Sequence, residues 1–303
     1  MWILYAVLSS FFAGITAILA KCGIKKTDTN TATAVRTSVV LIFSWLMVLI
    51  TNTWKYISQI DLTTLIFLIL SGLSTGASWL CYFHALQKGD INKVVPIDKS
   101  SAVLTILLAV IFLGERFTLG KGAAIILIGV GTMLMITKKP QEEKTEKTGE
   151  TVNKTIKETE SKKGRSWLVY AVLSAVFASA TAILGKIGIT GTDSNLGNAI
   201  RTTVVLVMAW VMVFVTKKQH EIKNIEKKEL VFIILSGLAT GASWLFYYRA
   251  LQDGLTSVVV SIDKLSILVT IIFSWLVFHE RLSKKAFAGL AGIVAGTVLL
   301  VFV

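Results

Sequence analysis

The chain has 303 residues, of which 54% are hydrophobic and only 16% are charged. Its mean hydropathy of +0.71 is too high for a soluble domain of this length, so the composition predicts a membrane protein. The formal net charge of +13 could suit a nucleic-acid-binding protein. However, the Lys and Arg residues lie between apolar segments, where the solvated ends of membrane spans normally carry them. We therefore expect no nucleic-acid partner.

Ten apolar segments follow one another along the chain. They begin near residues 2, 31, 62, 93 and 119, and again near residues 167, 197, 229, 258 and 284. Each is about 20 residues long, which is the length of a helix that crosses a bilayer. Proline occurs only at Pro96 and Pro140, so the segments can satisfy their backbone hydrogen bonds as helices. The sequence predicts an all-α integral membrane protein with ten transmembrane helices.

The second half of the chain repeats the first at an offset of 165 residues. From Trp2 and Trp167 onwards, roughly 63 of about 133 aligned positions are identical without a gap. We predict a first five-helix repeat over 1–137, a charged flexible linker over 138–165 and a second five-helix repeat over 166–303. Because five is an odd number, the second repeat enters the membrane inverted relative to the first, as in many secondary transporters.

An Asp-Lys pair lies inside the fourth apolar segment of each half. Asp98 and Lys99 occur in "VVPIDKSS", and Asp263 and Lys264 occur in "VVSIDKLS". A charge within a membrane span costs several kcal/mol unless it has a partner. Adjacent helical residues point about 100° apart, so each charge must find its partner on another helix. We predict that these four residues bind a solute or couple its transport, with structural ion pairing as the alternative.

Two arginines at matching positions in the second helix of each half, Arg36 and Arg201, are further candidate substrate or coupling residues. The alternative is that they snorkel to the lipid headgroups. Other basic residues are expected to join these two charged layers: Lys21, His84, Lys186 and Arg249. Each layer then carries an excess of positive charge, which favours a solute with a carboxylate or phosphate group.

Polar and aromatic stripes run along the third and fourth helices. Their members recur in both halves and are predicted to line a central cavity: Ser78, Trp79, Tyr82, Ser101, Ser243, Trp244, Tyr247 and Ser266. Packing between helices is the alternative for the serines, because small polar residues are common at helix interfaces. Gly72 and Gly237 belong to small-residue patterns that indicate close helix packing.

Pro96 distinguishes the two halves, because its counterpart in the second half is Ser261. Proline lacks a backbone donor and disfavours helical geometry in the residue before it. We expect the fourth helix of the first half to bend or begin late near Val95. The corresponding helix of the second half is expected to be straighter.

A family resemblance rests on several features together. "GER" at 114–116 and "HER" at 279–281 close the fourth helices, the third helices end in "ALQ", and the fifth helices are rich in glycine. With two five-helix halves, the chain resembles the EamA-type branch of the drug/metabolite transporter superfamily over all but the linker. The resemblance implies a secondary transporter with a central cavity and both termini in the cytoplasm. The distribution of Lys and Arg instead predicts both termini outside.

We therefore expect a secondary transporter that moves a small polar metabolite by alternating access, with protons as the candidate coupling ion. The alternatives are a lipid-linked solute flippase and a non-transporting membrane assembly or regulatory subunit. The sequence contains no nucleophile-base arrangement, metal spacing or phosphate loop, so we expect neither an enzyme nor a bound metal or cofactor. The expected partners are the solute and membrane lipid, and the expected state is a monomer or homodimer in the cell membrane, as a multi-pass protein of a bacterial inner membrane.

Overall fold

The computed structural model of the chain describes residues 1–24, 27–88, 94, 97, 100–136, 166–278 and 283–303. All regular structure within these residues is helical. The predicted linker over 138–165, the pair Asp98 and Lys99, and Pro96 lie outside the described residues, as does the side chain of Lys21.

The first half contains α1 (Trp2–Gly23), α2 (Thr29–Ile50), α3 (Leu62–Lys88), α4 (Ser101–Phe112) and α5 (Leu119–Ile136). The second half contains α6 (Ser166–Thr190), α7 (Ser194–Val215), α8 (Lys227–Asp253), α9 (Thr256–Lys264), α10 (Ser266–Phe278) and α11 (Lys284–Phe302). Eight segments of the described chain are long and apolar enough to cross a membrane, and α4 and α5 are shorter apolar helices. The all-α membrane fold is thus confirmed, and nine of the ten predicted spans have described starts within three residues of the prediction. The exception is the fourth span, which was predicted from about residue 93 and is described from Ser101.

The second helix of each half begins at an aspartate. Asp28 and Asp193 each accept hydrogen bonds from the backbone N–H groups two and three residues later, at 2.9–3.3 Å. These bonds satisfy donors that the first turn of a helix leaves free, so the aspartates define where α2 and α7 start. The caps thereby place Arg36 and Arg201 two turns into the two helices, at matching positions.

The two halves interlock, because the main helix contacts join a helix of one half to a helix of the other. Helix α3 packs along α6 and α7, while its counterpart α8 packs along α1 and α2. Helices α2 and α7 also contact each other, as do α5 and α11. These contacts are nearly unchanged when the halves are exchanged, which is the expected property of an inverted repeat.

Glycines allow the closest of these approaches. A Cβ atom on Gly72 would lie 2.7 Å from the Cβ of Val204, and one on the matching Gly237 would lie 2.7 Å from the Cβ of Val39. Such distances are too short for real carbon atoms, so a side chain at either position would push α3 from α7 or α8 from α2. The interpretation of these glycines as close-packing residues is confirmed.

The fourth span of the second half is interrupted between α9 and α10. The N–H of Leu265 donates to the carbonyl of Ile262 at 2.9 Å, a 3-10 contact in place of the regular α-helical one. In the first half, the N–H of Ser100 donates to the carbonyl of Ile97 at 3.2 Å, at the matching position. The helix that was expected to be straighter is therefore broken, and it contains no proline. Val95 and Pro96 lie outside the described residues.

Candidate functional site

A cavity of about 220 Å³ lies between the two halves of the chain. Helices α1 and α4 of the first half and α6 to α9 of the second half surround it. Seven residues that the sequence analysis singled out line this central cavity: Ser101, Arg201, Ser243, Trp244, Tyr247, Asp263 and Lys264. Four alanines and a valine form the apolar part of the described wall, and most of the described lining side chains carry a polar group.

Arg201 is almost fully enclosed, with 3% of its surface exposed. Its Nε donates to Ser71 Oγ at 3.1 Å and its Nη2 donates to Thr75 Oγ1 at 2.7 Å. The guanidinium carbon lies 4.9 Å from the ring centre of Trp244 and 5.1 Å from that of Tyr248, within cation-π range. The third nitrogen, Nη1, is buried and has no hydrogen-bond partner within the described part of the chain. Arg201 is therefore a buried cation, not a snorkelling one.

Asp263 and Lys264 form the last turn of α9, beside the interruption at Leu265. Ser9 of α1 donates to Asp263 Oδ1 at 3.2 Å, and its hydroxyl lies 3.3 Å from that of Ser243. Lys264 occupies the C-terminal end of its helix, where the partial negative charge of the carbonyl groups favours a cation. The interruption in the span thus brings an acid and a base to the wall of the central cavity.

The aromatic lining includes a residue that the sequence analysis missed. Tyr248 lines the central cavity beside Tyr247, at a T-shaped ring distance of 5.3 Å. Tyr248 was not predicted because the predicted lining residues were those that recur in both halves, and the matching residue of the first half is Phe83. The difference between Phe83 and Tyr248, next to the polar stripe that contains Tyr247, is the feature of the sequence that could have indicated this residue.

Three of the predicted lining residues have other surroundings. Ser78 donates to the carbonyl of Ser174 at 3.0 Å, and Trp79 packs in an apolar cluster around Ala34. Ser266 is the first residue of α10, and its carbonyl accepts from the hydroxyl of Thr270 at 3.0 Å. None of the three lines the central cavity or the second cavity, which contains Arg36. The contacts of Ser78 correspond to the helix-packing alternative.

Arg36 and Tyr82 lie at a second cavity, of about 230 Å³, which we call the Arg36 cavity. It is formed by the end of α1, the start of α2, the last turns of α3 and the start of α8. Thr29, Thr33 and Ser236 supply further hydroxyl groups. The cavity is thus at the opposite ends of these helices from Arg201, as the inverted repeat requires.

The charged layer predicted around Arg201 is smaller than expected. Lys186 donates to three backbone carbonyl oxygens at the C-terminal end of α8, at 2.5–3.0 Å, and so closes that helix. Arg249 is exposed and pairs with an aspartate one turn later at 3.4 Å. Among the described lining residues, Arg201 and Lys264 against Asp263 leave two positive charges minus one negative, an excess of one.

Glu115, which follows α4, caps the start of α9. It is 8% exposed and accepts from Lys121 Nζ at 3.0 Å and from the backbone N–H of Ser257 at 3.2 Å, which lies in the first turn of α9. The hydroxyl of Ser257 also donates to it. The carboxylate therefore links the loop after α4 to the start of α9. Its counterpart Glu280 lies outside the described residues.

A multi-pass helical membrane protein with a charged cavity between two inverted halves has the architecture of a membrane transporter. The chain belongs to the EamA-like transporter family, whose model matches residues 1–137 and again residues 165–302. The prediction of an EamA-type member of the drug/metabolite transporter superfamily is thereby confirmed.

Two similar proteins are each about half as long as this chain. An uncharacterized transporter encoded in the cobO 3' region of a Sinorhizobium species is 42% identical over 134 residues, which are 44% of this chain and 95% of that protein. The uncharacterized protein MJ1333.1 of Methanocaldococcus jannaschii is 29% identical over 142 residues, or 44% of this chain and 94% of that protein.

One solved crystal structure of a protein aligns over 98% of this chain and 96% of its own, with a TM-score of 0.75. Its sequence identity is 12%, so this likeness concerns the fold alone.

Proposed function

We propose that the chain is a secondary transporter that moves a small polar metabolite with a carboxylate or phosphate group by alternating access. The observation that carries the proposal is the central cavity, because both halves line it and its cations outnumber its anions among the described lining residues. In a transporter of inverted repeats, a site between the halves is where access can alternate as one half moves against the other.

Arg201 is the proposed anchor for the anionic group. Two of its nitrogens are held by Ser71 and Thr75, and the two aromatic rings fix the plane of the guanidinium. The remaining Nη1 is a charge-assisted donor without a partner in the described chain. A buried donor left unpaired is costly, and an anionic oxygen would satisfy it.

Asp263 and its counterpart Asp98 are the proposed proton carriers. A carboxylate that exchanges a cationic or hydroxyl partner for a proton as the site opens would link solute movement to the proton gradient. The hydroxyl of Ser9, which donates to Asp263, is a partner that Asp263 would exchange. Asp98 has the same sequence environment, Ile-Asp-Lys, in the first half.

The first experiment identifies the solute. Purified protein is screened against metabolites by thermal shift, because a ligand that binds only the folded state raises the apparent Tm. Compounds that raise the Tm are then assayed for flux into proteoliposomes under an imposed pH gradient. A folded protein that no soluble metabolite stabilises, and that transports none, would favour the non-transporting alternative.

The second experiment tests proton coupling. The double variant Asp98→Asn, Asp263→Asn should lose the dependence of flux on the pH gradient. Asp253→Asn serves as the control, since that aspartate is exposed and outside the cavity. Unchanged, still proton-dependent flux in the double variant would remove the two aspartates from the mechanism.

A further inference from the structure

Arg36 has no hydrogen bond or ion pair with any residue that the structure describes. It lies about 10 Å from the start of α2, at 1.5 Å per residue, which is deeper than the solvated end of the helix. A cation at that depth without a partner is costly. Its guanidinium faces the Arg36 cavity, where water or a ligand can reach it.

Ser236 is a second unpaired group at the same cavity. It is fully buried, at 0% exposure, and its hydroxyl has no hydrogen-bond partner among the described residues. It lines the Arg36 cavity from α8. A buried hydroxyl that lacks a partner within the protein indicates that something else occupies the site, at least part of the time.

The matching residues of the other half show what these groups are suited to bind. Ser71, the counterpart of Ser236, accepts a hydrogen bond from Arg201, the counterpart of Arg36, at 3.1 Å. In the Arg36 cavity the two groups are both present but are not bonded to each other. A ligand between them would receive N–H donors from one side and an O–H donor from the other.

The charge of the cavity specifies the ligand. Arg36 is the one charged residue among the described lining residues, and the other polar groups among them are hydroxyls: Thr29, Thr33, Tyr82 and Ser236. A guanidinium donates in a planar fork that matches the two oxygens of a carboxylate or phosphate. A neutral or cationic ligand would leave the arginine uncompensated.

We infer that the Arg36 cavity is a second anion-binding site, which holds a carboxylate or phosphate group between Arg36 and Ser236. It is separate from the central cavity and binds its anion whether or not the solute proposed for Arg201 is transported. At about 230 Å³ against about 220 Å³, it can admit an anion of similar size to one in the central cavity. The anionic group belongs either to a soluble solute or to a lipid headgroup.

The test is the protection of arginines from phenylglyoxal in the purified full-length protein, read residue by residue by peptide mass spectrometry. Inorganic phosphate and acetate are the soluble probes, at constant ionic strength set with chloride. Phosphatidylglycerol and phosphatidylcholine nanodiscs form the lipid arm. Arg249, which is exposed and outside both cavities, is the internal control.

Arg36 should react readily without a probe, and a bound anion should slow the reaction. Protection follows 1 + [L]/Kd, so an anion at ten times its Kd slows labelling about elevenfold, while Arg249 is unaffected. Protection by phosphate or acetate identifies a soluble ligand, and protection only in phosphatidylglycerol identifies a headgroup. Ser236→Ala should reduce the protection, and Arg201→Lys should leave it intact, which separates this site from the proposed transport site.

Two results would overturn the inference. The first is that Arg36 is labelled at the same rate in the absence of a probe and in the presence of each probe, or that the probes protect Arg36 and Arg249 to the same extent. The other is an Arg36 that is unreactive in the wild type and becomes reactive in Asp98→Asn, because its anion would then be the chain's own aspartate.

Discussion

Arg36 and Arg201 occupy the same position in the two halves, yet their surroundings differ. Around them, the halves agree closely. Ser78 donates to the carbonyl of Ser174 at 3.0 Å, and in the other half Ser243 donates to the carbonyl of Ser9 at 3.0 Å. The threonine hydroxyl pairs on the same helix faces also correspond, at 3.3 and 3.4 Å. Among the described residues, the difference centres on the arginine, the hydroxyl groups that it could bind and the ring of Tyr248.

We call the arrangement around Arg201 closed, because its guanidinium is bonded to the protein, and the arrangement around Arg36 open, because its guanidinium is not bonded to any described residue. Arg201 is bonded to Ser71, whereas Arg36 faces a cavity and Ser236 has no partner in the described chain. Because the arginine and the serine are the same residue types in both halves, we attribute the asymmetry to the conformation as well as to local differences such as Tyr248 in place of Phe83. We expect the two arrangements to exchange between the halves during transport.

The largest effect is expected where the halves differ in sequence. Lys121 has Ala286 as its counterpart, and its bond to the buried Glu115 has no equivalent there. Lys121→Met should lower the free energy of unfolding by about 3 kcal/mol, because it leaves a buried carboxylate without its cation. Thermal unfolding in detergent measures it. Lys218→Met, which breaks an exposed pair, is the control and should change the Tm little.

Exchange of each arginine for lysine should separate the closed half from the open one. Arg201→Lys keeps the charge but loses the fork, so solute binding should weaken by about tenfold or more, as expected for loss of a charge-assisted bond. It should also lower the Tm, since Ser71 and Thr75 lose their donors. Arg36→Lys should leave the Tm unchanged. Equal effects of both on the Tm would contradict the assignment of Arg36 as unpaired.

The symmetric helix contacts predict matched effects. Gly72→Ala and Gly237→Ala should each destabilise the fold by about 1–3 kcal/mol, because each new methyl overlaps a valine across the interface. Gly122→Ala is the control, since its Cβ would meet its nearest neighbour only at 3.4 Å. Thermal unfolding of all three variants is the measurement. Unequal losses for the first two would show that the halves pack less alike than their contacts suggest.

The smallest expected effect tests whether the closed and open arrangements exchange between the two halves. Ser71→Ala removes an acceptor of Arg201 and should shift the equilibrium about fivefold toward the opposite arrangement, for a bond of about 1 kcal/mol. Phenylglyoxal labelling of Arg201 should then rise while that of Arg36 falls. Ser236→Ala should do the reverse. Were Ser71→Ala to expose Arg201 without protecting Arg36, the two arginines would act independently.

Several features followed from the sequence because they depend on local properties. Span starts follow from hydropathy and length, and nine of the ten predicted spans have described starts within three residues of the prediction. The interruption beside Asp263 was not predicted, because the expected bend depended on Pro96 and the second half has a serine at the matching position. Lys186 was placed in the charged layer from its depth, but its ammonium closes the end of α8.

Hydropathy and an offset of 165 residues were enough to determine the membrane class, the repeat and the matching positions of the charged residues. They did so because composition and periodicity are carried by the chain itself. Only the tertiary structure decided that Arg201 has the closed arrangement and Arg36 the open one. It also decided that α3 packs against α6 while α8 packs against α1. Arg36 and Arg201 are the same residue type at matching positions, as are Ser71 and Ser236. Their different partners therefore depend on how the interlocked halves are arranged in space.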